Sequence, residues 1–164
     1  MSKPVSLSNP ADVTNDWLTQ VLNKAEFDGT VTSFTAKSIG TGQVGENVRF
    51  TLSGTGNLPA TVVGKFPSSD PVSRQTGIDT LSYKSELDFY QNLQKTVNIK
   101  TPKIMLAEFD EQTHNFVIVM EDLSPAVPGD QLAGCSVTDA ELAIAQLAHL
   151  HGPRWGDQSL IDRI

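Results

Sequence analysis

Between Thr30 and Phe66 three β-type runs succeed one another with only glycine-rich turns between them, and this spacing constrains the fold more than any other feature. Thr30 to Ile39 is β-branched and short-chained, with Phe34 inside it, until Gly40 breaks the run. Asn47 to Ser53 alternates: Val48, Phe50 and Leu52 fall on one face, Arg49 and Thr51 on the other. That is the period of a half-buried strand. Gly54-Thr55-Gly56-Asn57 turns the chain, and Ala60 to Phe66 forms the third run around Val62 and Val63. Short turns of this kind join antiparallel strands, so the segment reads as an antiparallel meander.

The flanking segments add helices on either side of more strand. Thr14 is an N-cap with Asp16 in the first turn, and Trp17, Leu18, Val21 and Leu22 share one helical face. A helix of about two turns ending near Asn23 follows from that spacing. Pro67 to Thr80 is rich in Pro, Ser and Gly and reads as a long loop. Leu81 to Lys95 reads as one helix on the stepping of Tyr83, Leu87, Tyr90 and Leu93. Lys103 to Phe109 and Phe116 to Met120 are two further strands around a turn, the second a continuous apolar run. Leu123 to Ser136 reads as a linker. Thr138 and Glu141 then form a capping box for a helix with Ala140, Ala143, Ile144, Leu147 and Leu150 inward, stopped by Gly152-Pro153. The order β-β-β-α-β-β and then α is an α+β arrangement without βαβ alternation.

Composition narrows the partners. Twelve Lys and Arg against 19 Asp and Glu leave a net charge of -7, which argues against nucleic acid, since phosphate neutralisation needs clustered positive charge. No apolar run approaches the about 20 residues of a membrane span, so no membrane partner is expected. Met1 to Pro10 lack the basic and apolar blocks of a signal peptide. Cys135 is the only cysteine, and no zinc-ligand spacing is present. A cytoplasmic setting and no protein-held metal are the expectation.

Four groups of residues could carry chemistry. Gly40-Thr41-Gly42-Gln43-Val44-Gly45 matches G-x-G-x-x-G. A strand follows it, which excludes the dinucleotide fold, where the last glycine opens a helix. Within a hairpin the same glycines let backbone close over nucleotide phosphates; a plain glycine-rich turn satisfies the hexapeptide equally well. Lys65, inside an apolar strand twenty residues after Gly45, either points to solvent or grips phosphates. Glu86 lies within the apolar band of its helix, where a carboxylate wants a cationic partner, and Lys65 is the candidate. Met120-Glu121-Asp122-Leu123 closes the last strand, either as an acidic turn or as a hinge meeting an adenine edge through main chain. His114, in a turn, is expected to be exposed. His149 and His151 complement a helix C-terminus, and Cys135 has no neighbour that would activate it.

In these residues the chain resembles the aminoglycoside-phosphotransferase-like branch of the protein-kinase-like fold, small-molecule kinases. The likeness runs from about Leu7 onward. It is carried by Ile39 to Gly42 through Arg49-Phe50, Val63-Gly64-Lys65-Phe66, Glu86 within Tyr83 to Tyr90, Met120 to Leu123, and Leu147-Ala148-His149-Leu150-His151. It implies a kinase-like N-terminal lobe over 1–122, a five-stranded antiparallel sheet with a packed helix. Residues 123–164 would then be the hinge linker and the first helix of an incomplete C-terminal lobe. It implies that the Gly40 to Gly45 loop and Lys65 hold the phosphates of ATP or GTP with Mg²⁺, that Glu86 orients Lys65, and that Met120 to Leu123 hold the base. The activity implied is transfer of the γ-phosphoryl group to a hydroxyl of a small molecule.

One departure from the family's pattern is large. The His-Gly-Asp loop followed by Asn, and the metal-binding Asp after it, are missing: His151-Gly152-Pro153 has proline at the Asp position, and no Asn lies beyond Asn115. No catalytic residue is therefore assigned, and the chain alone is expected to bind nucleotide with little or no turnover. The competing expectation is a non-catalytic binding module that forms a homodimer through its C-terminal helix.

Overall fold

The computed structural model describes residues 7–40 and 42–163, which divide into two compact units. The first contains residues up to Tyr90 together with Pro102–Asp122; the second contains Gln91–Thr101 and the chain from Leu123 onward.

The first unit is α+β, built on an open five-stranded antiparallel sheet. The strands are β1 (Gly29–Ile39), β2 (Gly45–Gly56), β3 (Thr61–Pro67), β4 (Ile104–Phe109) and β5 (Phe116–Glu121), in the spatial order β1-β2-β3-β5-β4. β1 and β2 pair from Gly29 opposite Gly56 to Ile39 opposite Asn47, and β2 pairs β3 with Asn47 opposite Lys65. The β4–β5 hairpin then docks β5 beside β3, with Lys65 opposite Ile118. β5 lies in the interior of the sheet between β3 and β4, and Phe116, Val117, Ile118 and Val119 are fully buried, the environment that its unbroken apolar run requires.

Helix α1 (Asn15–Lys24) begins where Thr14 Oγ1 accepts the Trp17 N–H at 3.1 Å. Its Trp17, Leu18, Val21 and Leu22 pack with Val48, Phe50, Val62, Phe66, Val117 and Val119 into one core. A second core joins Tyr83 and Leu87 to Phe116 and Ile118. Those two residues belong to α3 (Ser82–Asp88), which therefore covers the face on which Lys65, opposite Ile118, also lies.

Three expectations of the sequence are corrected here. Pro67 to Thr80 is not a loop throughout: it contains α2 (Pro71–Asp79), capped by Asp70 Oδ1, which accepts the Ser73 N–H at 2.8 Å. The helix buries only Gly77, so it has no apolar stripe for periodicity to detect. Its start was legible all the same, as an Asp N-cap with proline in the first turn. The helix expected from Leu81 to Lys95 is α-helical only to Asp88, then widens into a π turn over Phe89–Leu93 and tightens into a 3-10 turn over Gln94–Thr96. Recurrence every three or four residues does not distinguish these winding states. His114 is half-buried rather than exposed, at a positive φ of 55°, with its ring edge-on to Phe109.

The Asp70 cap makes α2 sensitive to acid. Hydrogen bonding from the Ser73 backbone and side chain holds the Asp70 carboxyl below the usual 3.8 of an aspartate. A lowered folded-state pKa means that the ionised cap stabilises the helix above the ordinary value and ceases to do so as pH falls through the lowered one. Amide exchange at Ser73 and Arg74, corrected for intrinsic rates, is expected to accelerate across that acidic window and to lose this pH dependence in Asp70→Asn.

The second unit is organised on α4 (Val137–His151). Ser136, not Thr138, caps it: Ser136 Oγ accepts the Asp139 N–H at 3.1 Å, and its hydroxyl lies 2.7 Å from the Asp139 carboxylate. Asn98 N–H donates to the His149 carbonyl at 3.0 Å, and Lys100 N–H donates to Gln146 Oε1 at 3.2 Å. The face expected to turn inward is corrected as well. Ala143 is exposed, Ile144 and Leu147 are 65% and 47% exposed, and only Ala140 and Leu150 are half-buried. The segment Gln91–Thr101 meets this helix through these polar bonds and leaves Ile144 and Leu147 exposed. No helix among the described residues is long and apolar enough to cross a membrane.

Candidate nucleotide-phosphate site

The strongest feature of the first unit is an ion pair between the sheet and the helix that covers it. Lys65 Nζ lies 2.8 Å from Glu86 Oε1 and 2.6 Å from Oε2, bridging β3 to α3. Both side chains are about a quarter exposed, 24% for Lys65 and 28% for Glu86. The pair is thus held by the fold and still open to a solute. Register explains it: Lys65 lies on β3 directly opposite Ile118 of β5, on the α3 side, and Glu86 is one turn from the buried Tyr83 and next to the buried Leu87. Tyr90, a turn further on, is pushed to a raised pKa by burial, with the Glu86 carboxylate adding to it, so its phenol stays protonated.

The glycine-rich segment forms the connection between β1 and β2, directly before the strand that pairs β3. Gly40 has a φ of +73°, a conformation that a side chain would strain. A Cβ on Gly42 would collide with the Gly45 carbonyl oxygen, so the loop closes on itself only without one. A Cβ on Gly45 would lie 3.4 Å from Lys65 Cε; the lysine stem therefore runs beside the base of the loop. Gln43 is exposed and Val44 half-buried. Thr41, the remaining loop residue, lies outside the described residues.

Two anchors fix the end of this loop. The Val44 carbonyl accepts the Tyr83 hydroxyl and, at 3.3 Å, the Ser68 N–H. Tyr83 thus ties the loop to the same helix that carries Glu86. The sequence shows Tyr83 only as one member of an apolar stripe; its phenolic oxygen, which needs a partner when buried, was the available signal.

The segment Met120 to Leu123 is divided. Met120 pairs with Val63 and Ile104, and its side chain packs with the α3-side core. Glu121 is engaged on both sides with Lys103: its N–H donates to the Lys103 carbonyl at 2.9 Å and its Oε1 accepts the Lys103 N–H at 2.8 Å. The Asp122 carboxylate accepts from Arg49 Nε at 2.6 Å and from Nη2 at 3.0 Å, a bidentate pair in which Asp122 is only 5% exposed. Such a fork fixes the end of β5 against β2. Nothing in the sequence couples positions 49 and 122, since strand alternation places Arg49 on a face without saying what meets it. Leu123 belongs to the second unit and is 56% exposed.

Among the described residues no cluster of three or more His, Cys, Asp or Glu comes together that could hold a metal ion. The site residues present do not make a divalent-cation site. What they do make is one ammonium held by a carboxylate beside a loop whose backbone can approach an anion closely. A scan against protein-family models finds no match to this chain, and a search of curated proteins finds none either.

Proposed function

We propose that the first unit binds a nucleoside triphosphate, with the Gly40 to Gly45 loop closing over the phosphates and Lys65 contacting them, as in a small-molecule phosphotransferase of the protein-kinase-like fold. One observation carries the reading: Lys65 on the third strand is paired at 2.6 Å with Glu86 on the following helix, beside the base of the glycine-rich loop. A lysine in this position adds charge without moving, because its partner holds it before the ligand arrives. Glu86 is the positioning residue. Loop glycines leave room for main-chain N–H groups to face phosphate oxygens. The end of β5, fixed by the Arg49–Asp122 fork, is where the base would lie.

The reading covers binding. Transfer to a hydroxyl needs a carboxylate that accepts the hydroxyl proton and groups that hold Mg²⁺, and no residue of this chain is assigned either role. Titration calorimetry with Mg-ATP and Mg-GTP tests the proposal: saturable heat with at least one of them, without phosphate release, is the expected result. Absence of both heat and thermal shift at millimolar nucleotide would leave the second reading, a non-catalytic module that self-associates. The exposed Ile144 and Leu147 of α4 favour that reading, and a concentration-dependent mass in sedimentation would support it.

A further inference from the structure

A cavity of about 200 Å³ lies between the α2–α3 corner and the β4–β5 turn. Its apolar walls come from Ile78, Leu81, Tyr83 and Phe109, and its rim from Lys84, Glu111 and His114. We infer that this cavity is an effector site for a small aromatic carboxylate, and that its occupancy reaches the glycine-rich loop through Tyr83. The coupling to nucleotide rests on the function proposed above; the cavity and its link to the loop do not.

Size, charge and backbone each point the same way. A dry cavity of about 150 Å³ holds one benzene ring, so 200 Å³ with an open rim accommodates a ring and a short polar tail. The rim offers an exchangeable cation: Lys84 Nζ stands 3.5 Å from Glu111, with both side chains more than half exposed, at 60% and 75%. Such a pair contributes little, and a ligand carboxylate can replace Glu111 as its partner. Two of the wall and rim residues, Leu81 and His114, have a positive φ of 55° without being glycine. Strain of this kind gathers at ligand sites. Leu81 is also 56% exposed, an apolar side chain held at the mouth.

The route to the loop is short. The Tyr83 ring forms one wall of the cavity and packs against Phe116, tilted by 45° at 4.6 Å, while its hydroxyl donates to the Val44 carbonyl. Gly77 underlies the ring, and a Cβ there would collide with it. A ligand against this wall therefore bears on a side chain that ties α3 to the loop. Because Glu86 follows Tyr83 by one turn, the same contact also bears on the Lys65 partner.

Phenylacetate is the probe, titrated into the ¹⁵N-labelled chain with no nucleotide present. Saturable amide shifts at Ile78, Lys84 and Phe109 are expected with a dissociation constant on the order of 1 mM, accompanied by shifts at Val44 and Gly45. Tyr83→Phe should retain binding and lose the shifts at Val44 and Gly45. Lys84→Gln should weaken binding by about fivefold or more, whereas benzyl alcohol, the uncharged analogue, should bind both forms alike. No saturable shift around the cavity at 20-fold the expected constant would overturn the site, and unchanged transmission in Tyr83→Phe would overturn the route. In a second titration phenylacetate should change the Mg-ATP constant by about threefold or more. If Mg-ATP does not bind at all, only the function reading fails, because the shifts at Val44 and Gly45 still report the coupling.

Discussion

Replacing Lys65 by alanine is expected to weaken Mg-ATP binding by about 10- to 100-fold. The figure follows from the loss of one charge-assisted contact to phosphate, about 1.5–3 kcal/mol. Folding should change far less. Lys65 and Glu86 are each about a quarter exposed, so solvent already screens the pair, and water can reach the carboxylate left behind. Calorimetry on Lys65→Ala beside a urea denaturation of the same protein separates the two effects. Glu86→Gln keeps the cation and removes only its charged partner, so its affinity should fall by less than that of Lys65→Ala. Equal affinity in wild type and Lys65→Ala would remove the lysine from the site.

The largest effect on stability is expected at Phe50. Its ring is fully buried on β2, edge-on to Phe34 at 5.5 Å and to Phe66 at 6.4 Å, within the core that α1 closes. Truncation to alanine removes a buried aromatic ring and opens a cavity among residues that cannot collapse together, a loss of about 3–5 kcal/mol. A domain of ordinary stability has about 5–15 kcal/mol in total, so Phe50→Ala should lower the urea midpoint severely with little change in slope. Phe50→Leu, which keeps most of the volume, should recover much of the loss. A loss under 1 kcal/mol in the alanine variant would mean that the α1-side core is not packed around Phe50.

The sheet was legible because its residues obey one rule each. Val48, Phe50 and Leu52 alternate with Arg49 and Thr51 on β2, and the observed burial of Val48 and Phe50 follows that alternation. Phe116 to Val119 form an unbroken apolar run and become an interior strand, buried on both faces. Thr14 caps α1 where an oxygen-bearing side chain precedes an apolar stripe. Segments governed by other forces were legible only in part. α2 is fixed by its cap and by a ring lying over Gly77, not by a stripe. The widening after Asp88 preserves the same periodicity that suggested a continuous helix. On α4 the stripe is real in the sequence and yet Ile144 and Leu147 stay exposed, because amphipathicity states what a helix could bury and not what is there to bury it.

The candidate site divides in the same manner. Lys65 and Glu86 could be matched from the sequence because a carboxylate inside an apolar band demands a cation, and the two meet at 2.6 Å. The Arg49–Asp122 fork and the Tyr83 bond to Val44 depend on strand register and on the depth at which α3 lies. Neither quantity is written in local pattern. Both nevertheless bear on the proposed ligand, one at the end of β5 and the other at the loop.

The most direct measurement is an amide chemical-shift titration of the chain with Mg-ATP. Saturable shifts concentrated at Gly40, Gly42, Gly45, Lys65 and Asp122, and reduced in Lys65→Ala, are the expected result. Millimolar Mg-ATP that leaves the loop and Lys65 amides unmoved, or that shifts a different surface, would contradict the assignment of a nucleotide-phosphate site to this sheet.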